Sequence, residues 1–367
     1  MIVTRLEEVQ AKLEMVREFA AERGLAAMVL ATRANFAWLT AGGANHVGLD
    51  AETGVCWLVV TRDGQHLLTD NIEAGRFADE EIGELPFEIH SAQWDEADRA
   101  AMLTRLAAQG AGADWALPGT QNVADDFARL RWRLLEPEIE RYREVAALAS
   151  RAIAQTGREI EPGMTEHEIA GLLMGKVFAA GAQPVVALIA ADERAYRYRH
   201  PIPTQARLRR HVMIVIGATR YGLGVYATRM VHFGEPPAEL RDRHVACCLV
   251  DACFNLHTVP GAKVSEIFRA AADAYAQAGY PDEWRLHHQG GATGYAPREY
   301  KGTLTCEEIV LEDQAFAWNP SVAGTKSEDT IIARAGGPQF LTGPDGWPTL
   351  EITYGGETLQ RPDILVR

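Results

Sequence analysis

Little in this chain of 367 residues points to an oxidising compartment, a membrane or a polyanion. Five cysteines make an odd set without paired spacing. Cys247, Cys248 and Cys253 fall in a helical pattern, where a thiol serves as a small buried hydrophobe, so neither a disulfide nor a zinc site is expected from them. The opening stretch, MIVTRLEEVQ, lacks the apolar core of a secretion signal. No apolar run approaches the roughly 18 residues that cross a bilayer. Positive charge is also in deficit: the net charge of -14 argues against a nucleic-acid partner or an anionic membrane surface. A Gly-x-Ser-x-Gly nucleophile turn is missing, and the Lys-Ser pair in "GTKSED" lacks the spacing of a phosphate loop. A cytoplasmic protein acting on a small molecule is the expectation.

What is present is core. Apolar residues make up 47% of the chain, and its length suits two domains. Residues 1–135 alternate element types, which suggests a small α/β domain. Arg5 to Arg23 has helical periodicity and stops at Gly24; Met28 to Leu39 and Gly54 to Thr69 read as strands, the second a hairpin turning at Asp63-Gly64. Asp95 to Gln109 and Asn122 to Leu135 read as helices, with a short strand from Asp114 to Leu117 between them. Glu136-Pro137 marks the boundary, since proline suits the first turn of a new helix.

Residues 136–367 contain a repeat. "PGMTEHEIAGLLMGKVFAAG" from Pro162 and "PGAKVSEIFRAAADAYAQAG" from Pro260 both open on Pro-Gly, carry Glu-Ile at the same offset and close on Ala-Gly. Each follows a helical stretch and precedes strands: Val185 to Ala190 and Val212 to Phe233 after the first, Trp284 to His288 and Ala315 to Ala333 after the second. Thr165 with Glu168 fits a capping box, and Gly181 and Gly279 suit the left-handed position after a helix. Two helices followed by strands, done twice, imply two similar halves about a pseudo-two-fold axis, with a pocket at their junction.

With these features the chain resembles the creatinase / aminopeptidase P / prolidase family over nearly its whole length. The resemblance implies an N-terminal α/β domain (1–135) and a C-terminal pita-bread domain (136–367), an α/β (α+β) chain overall. It also implies a site where two Asp, one His and two Glu hold two divalent metals, whose shared hydroxide and Lewis acidity suit peptide hydrolysis. Most of those ligands are replaced here. In "VIGATRYGLGVYATRM", Val215 and Tyr226 stand at the two Asp positions. In "GGATGYAPRE", Gly291 stands for the His and Arg298 for a later His, while Glu299 remains; "AWNPS" places Asn319 at the first Glu, and Glu328 alone keeps its ligand type. An alternative stays open, in which a slip by one element brings His287 or His288 inward.

The same resemblance places His200, in "YRYRHPIPTQARL", where the family has a proton-shuttling, substrate-contacting His. Creatinase itself works without metal, and the loss of ligands beside a retained His suggests a similar chemistry. The expectation is therefore a cofactor-free hydrolase of a C–N bond in a small, carboxylate-bearing substrate. His200 would move the proton, Glu328 orient it or act as base, and Arg229 and Arg298 fork onto the substrate carboxylate. Tyr226 and Asn319 would line the substrate pocket, Tyr226 by filling the place of a metal. Rival expectations are a non-catalytic relative that binds a ligand or partner, and an Xaa-Pro aminopeptidase or dipeptidase with atypical metal ligands. A homodimer is expected.

Overall fold

Thr4 opens the first helix, Arg5–Glu22, through a capping box in which its hydroxyl takes the Glu7 amide and the Glu7 carboxylate returns to Thr4. The computed structural model describes residues 4–96, 98–106 and 110–367. Its described part divides into two compact units, residues 1–131 with 136–138, and 132–135 with 139–367.

In the first unit, β1 (Ala27–Thr32), β2 (Thr53–Thr61), β3 (Gln65–Asp70), β4 (Glu88–Ala92), β5 (Ala111–Ala113) and β6 (Gln121–Asn122) form one sheet, ordered β4-β3-β2-β1-β5-β6. The β2–β3 hairpin turns where expected, closed by Thr61 and Gly64. The stretch from Met28 to Leu39 is not one strand: β1 ends at Thr32, whose hydroxyl accepts from the Asn35 amide and starts the helix Arg33–Leu39. The Asp95–Gln109 stretch is helical over Arg99–Leu106; positions 97 and 107–109 lie outside the described residues. The strand expected at Asp114–Leu117 lies earlier, as β5. Asp114 is instead buried, accepting from the amides of Ala31 and Thr32 and from Asn35. The expected Asn122–Leu135 helix shortens to Ala124–Ala128 with a 3₁₀ turn at Arg129–Arg131.

The second unit repeats a helix pair and a sheet. Helices Glu136–Glu159, with Pro137 in its first turn, and Glu166–Ala179 precede β7 (Gln183–Ala191), β8 (His211–Arg220) and β9 (Leu223–His232). Helices Ala238–His257 and Val264–Gln277 precede β10 (Gly290–Thr293), β11 (Tyr300–Lys301), β12 (Ala315–Trp318), β13 (Ser321–Val322), β14 (Thr325–Lys326), β15 (Asp329–Ile332) and β16 (Gln339–Phe340). The β17 (Thr349–Tyr354) and β18 (Glu357–Pro362) hairpin follows, and β19 (Ile364–Val366) pairs with β9. The sheets are ordered β19-β9-β8-β7 and β11-β10-β12-β15-β16. They meet at β9 and β15, where the Thr228 amide donates to the Glu328 carbonyl and Thr330 brackets Tyr226. The Thr165 capping box and the left-handed Gly181 and Gly279 are as the sequence suggests. The expected Trp284–His288 strand is a 3₁₀ turn, Glu283–Leu286, and the strand begins later, at Gly290.

The core behind β12 joins Phe254 and Phe268 to Phe316 and Trp318, with Phe254 stacked on Trp318 at 4.4 Å between centroids. Cys247, Cys248 and Cys253 are buried without bridges. No helix among the described residues is long and apolar enough to cross a membrane.

Candidate active site

The site forms where β9 meets β15, and its centre is Glu328. This carboxylate is buried, with 3% of its side chain exposed. Thr228 Oγ1 donates to Glu328 Oε2 at 2.8 Å, Lys326 Nζ lies 2.9 Å from the same oxygen, and Arg298 Nη2 lies 3.7 Å from Oε1. Lys326 and Glu328 are two apart on extended chain, so both side chains leave the same face. Arg298 also lies over the Tyr226 ring, 5.1 Å from its centroid, and spends one donor on the Pro297 carbonyl. Its Nε is a buried donor without a partner among the described residues.

A second cluster comes from two loops. His200 follows the Glu193–Arg197 helix, and His287 and His288 lie between the 3₁₀ turn and β10. An ion pair of Arg199 with Glu283 ties these loops together. Gln289, fully buried, donates to the His287 carbonyl at 2.7 Å and accepts from Tyr275 Oη at 2.8 Å, which fixes the backbone under His287. The outcome is a triangle of imidazoles: His200 Nε2 and His287 Nε2 are 3.0 Å apart, and ring centroids are separated by 4.6 to 5.3 Å. Burial, then the nearby Lys326 and the other imidazoles, lowers the His287 pKa to about 2; burial and Arg298 lower that of His288 to about 4. His200 is more open, and its pKa is lowered by burial and Lys326 while Glu328 opposes the shift. Near neutral pH these rings are neutral bases with lone pairs available.

The remaining expected residues fall differently. Arg229 is fully buried in an ion pair with Asp329 at 3.0 Å and donates to the carbonyls of Thr228 and Gly343. Its fork is thus committed to holding β9 to β15, and the expectation of a substrate anchor there is corrected. Tyr226 is buried, its ring against Gly217 and Gly224, and burial pushes its phenol up to about 12. Asn319 is buried beside Gln289, whose carbonyl accepts its amide, and its Oδ1 has no partner among the described residues.

These observations decide whether the five inherited positions suit a pair of divalent ions. They do not. Val215 is an apolar residue paired across from Thr228. Tyr226 offers a protonated phenol, and Asn319 a neutral amide. Glu328 is already neutralised by Lys326. At Gly291, with φ of +148°, a Cβ would lie 2.3 Å from the Tyr300 carbonyl oxygen and 2.7 Å from the Gly302 amide. Backbone occupies the place a ligand side chain would need. Gly291→Ala is therefore expected to cost about 2 kcal/mol or more through strain and overlap, read as a lower midpoint in urea; an unchanged midpoint would show that the β10–β11 pairing yields freely.

Sequence reasoning missed Lys326 and Thr228, and gave His287 and His288 only as a slip. The Lys-x-Glu spacing of Lys326 and Glu328 was the available signal for the first. Nothing local announces that two loops 87 residues apart bring His200 to His287.

Comparison with known proteins gives the same frame. The model of metallopeptidase family M24 matches residues 140–335, and that of the creatinase/prolidase N-terminal domain residues 12–145. An uncharacterised peptidase of Staphylococcus epidermidis is 23% identical over 231 residues, 60% of this chain and 66% of that one. The probable dipeptidase PepE of Mycobacterium tuberculosis is 26% identical over 225 residues, 59% of this chain and 60% of that one. The matches thus span about two thirds or less of these curated relatives. The prolidase structure from Pyrococcus horikoshii OT3 superposes with a TM-score of 0.77 at 20% identity, covering 91% of this chain and 98% of that one. The expectation of a chain without a cofactor is overturned here, because the family whose model spans the site is one of metallopeptidases. The likeness to a creatinase-type, metal-free centre gives way to the peptidase alternative.

Proposed function

Because the chain belongs to metallopeptidase family M24, with a creatinase/prolidase domain ahead of a pita-bread domain, we propose that it is an amide hydrolase of the dipeptidase or Xaa-Pro peptidase kind whose metal ligands are not the family's five. The observation that carries this is the buried Glu328 carboxylate, kept at the junction of β9 and β15 and held by Thr228, Lys326 and Arg298. A buried carboxylate held by fixed partners is the kind of group a hydrolase can use for acid–base work.

The other residues have roles that follow from their geometry. Arg298, partly open and with an Nε that no described residue accepts, is suited to the terminal carboxylate of a short peptide. His200, the open member of the imidazole triangle, offers a neutral ring nitrogen rather than a proton near neutral pH, because burial and Lys326 lower its pKa. With Lys326 paired to Glu328, Arg298 is the cation that would favour an anionic substrate end over an amidated one. A homodimer belongs to the same proposal.

Arg298→Ala tests the anchor. It is expected to raise KM for dipeptides by about tenfold to a hundredfold, the worth of a charged hydrogen bond, while C-terminally amidated peptides, slow from the start, change little. Equal losses for both substrates would remove Arg298 from carboxylate binding.

A second reading has its own support. Val215 and Gly291 carry no donor at all, which fits a relative that binds a peptide or other ligand without turning it over. It differs from the first in leaving Glu328 without a chemical role.

A further inference from the structure

Among the described residues, only two groups set three His or carboxylate ligand atoms within 4.8 Å of one another: His200 with His287 and His288, and His66 with Glu88 and His90 in the first unit. The first group differs from the second in how it is built. His287 is buried, its backbone is braced by Gln289, and the two loops are clamped by Arg199 and Glu283. The second lies on the β3–β4 edge around Glu88, whose side chain is 68% exposed.

We propose that His200, His287 and His288 form a three-nitrogen site for a single divalent ion of the zinc class, displaced from the family's two-metal position. Two zinc–imidazole bonds of about 2.0–2.1 Å at a tetrahedral angle hold their nitrogens roughly 3.3 Å apart. The 3.0 Å between His200 Nε2 and His287 Nε2 is close to that separation. Two imidazole nitrogens facing each other can share at most one proton, and an ion between them uses both lone pairs. The other ring nitrogen of His287, Nδ1, is buried and has no hydrogen-bond partner among the described residues, so no contact there fixes which nitrogen carries the proton.

Imidazole suits zinc and its neighbours in the series better than it suits calcium or magnesium. Three protein ligands leave the fourth position open, the arrangement of catalytic rather than structural zinc. His288 Nδ1 receives the Gly290 amide at a long 3.3 Å. If His288 binds through Nε2, its ring proton moves to Nδ1 and this weak contact is lost. The Lys326 ammonium opposes a dication, but Glu328 lies against it at 2.9 Å and offsets much of its charge. This site deepens the hydrolase reading by supplying the ligands that the five positions lack, and its test reads binding rather than turnover.

The test is cobalt(II) and zinc(II) titration of the full, metal-stripped chain, followed by the visible cobalt spectrum and by metal content after desalting. About one equivalent should bind, with the intense bands of a four-coordinate nitrogen site. His200→Ala, at an open position expected to fold, and His288→Ala should each weaken binding on the order of 100-fold. His66→Ala should leave it unchanged. Three results overturn the proposal: no binding; binding lost in His66→Ala and kept in the other two; or two equivalents lost together in Glu328→Gln. If cobalt binds as expected while no peptide is cleaved, the hydrolase reading fails and the metal site stands. If peptide is cleaved with no cobalt at these histidines, the metal site fails and the hydrolase reading stands.

Discussion

Glu328→Gln is expected to reduce peptide turnover by about 100- to 10,000-fold, the range for removing a positioned acid–base group. The substitution keeps the shape of the side chain, so Thr228 retains a partner. It removes the charge that faces Lys326 at 2.9 Å and Arg298 at 3.7 Å. Stability falls as well, because the Lys326 ammonium, 3% exposed, is left without its anion; breaking one side of a buried pair costs about 3–5 kcal/mol. The two effects separate in the double variant Lys326→Met with Glu328→Gln. Removing both charges should restore most of the midpoint in urea and none of the activity. Activity that returns together with stability would make Glu328 a structural residue, and the second reading of the pocket would then be the better one.

Arg361→Ala is expected to unfold the second unit at much lower temperature. Arg361 on β18 is fully buried between two carboxylates, with Nε donating to Asp251 at 2.7 Å and Nη2 to Asp329 at 2.8 Å. Asp251 also receives Ser327 and Asn255, and Asp329 receives Arg229 and Thr342. Burial alone would lower the Arg361 pKa, but the two carboxylates outweigh it and raise the pKa above the usual arginine value. Without the guanidinium, two buried anions share one surviving cation, Arg229. The expected loss is about 3–5 kcal/mol, a fall in Tm on the order of 10 °C for a domain of this size. Scanning calorimetry reads it on the transition of the second unit. A shift of a degree or two would mean that water or local rearrangement replaces the arginine easily. The network also bears on the site: Asp329 adjoins Glu328, so loosening it should blunt turnover in the variant that remains folded.

Much of the fold is legible in the residues because its signals are local. The capping box at Thr165, the Asp63-Gly64 turn and the paired Pro-Gly to Ala-Gly helices all act within a few residues, and each stands where the sequence places it. The misreadings have physical causes. Met28 to Leu39 is mostly apolar, broken by Thr32, Arg33 and Asn35 at its middle, so periodicity alone does not part strand from helix there; the Thr32 hydroxyl that caps Asn35 is the better marker. Trp284 to His288 has strand-like composition, yet Pro281-Asp282 ahead of it leads into a 3₁₀ turn. Arg229 shows why site residues are harder. Next to a site motif it resembles an anchor, and only Asp329, a hundred residues away, reveals that its fork is already taken. The imidazole triangle depends likewise on a clamp between Arg199 and Glu283, 84 residues apart. A pairing at that range leaves no periodicity in either segment.

The central claim is that this altered pocket still hydrolyses amides, and the most direct measurement is mass-spectrometric detection of free amino acids released from a dipeptide library. Purified chain supplied with zinc or cobalt should be compared with Glu328→Gln under the same conditions. Release from a restricted set of dipeptides by the wild-type chain, at least about 100-fold faster than by the variant, is the expected result. No release from any member, or equal release by both proteins, would contradict the account and leave the pocket as a binding site.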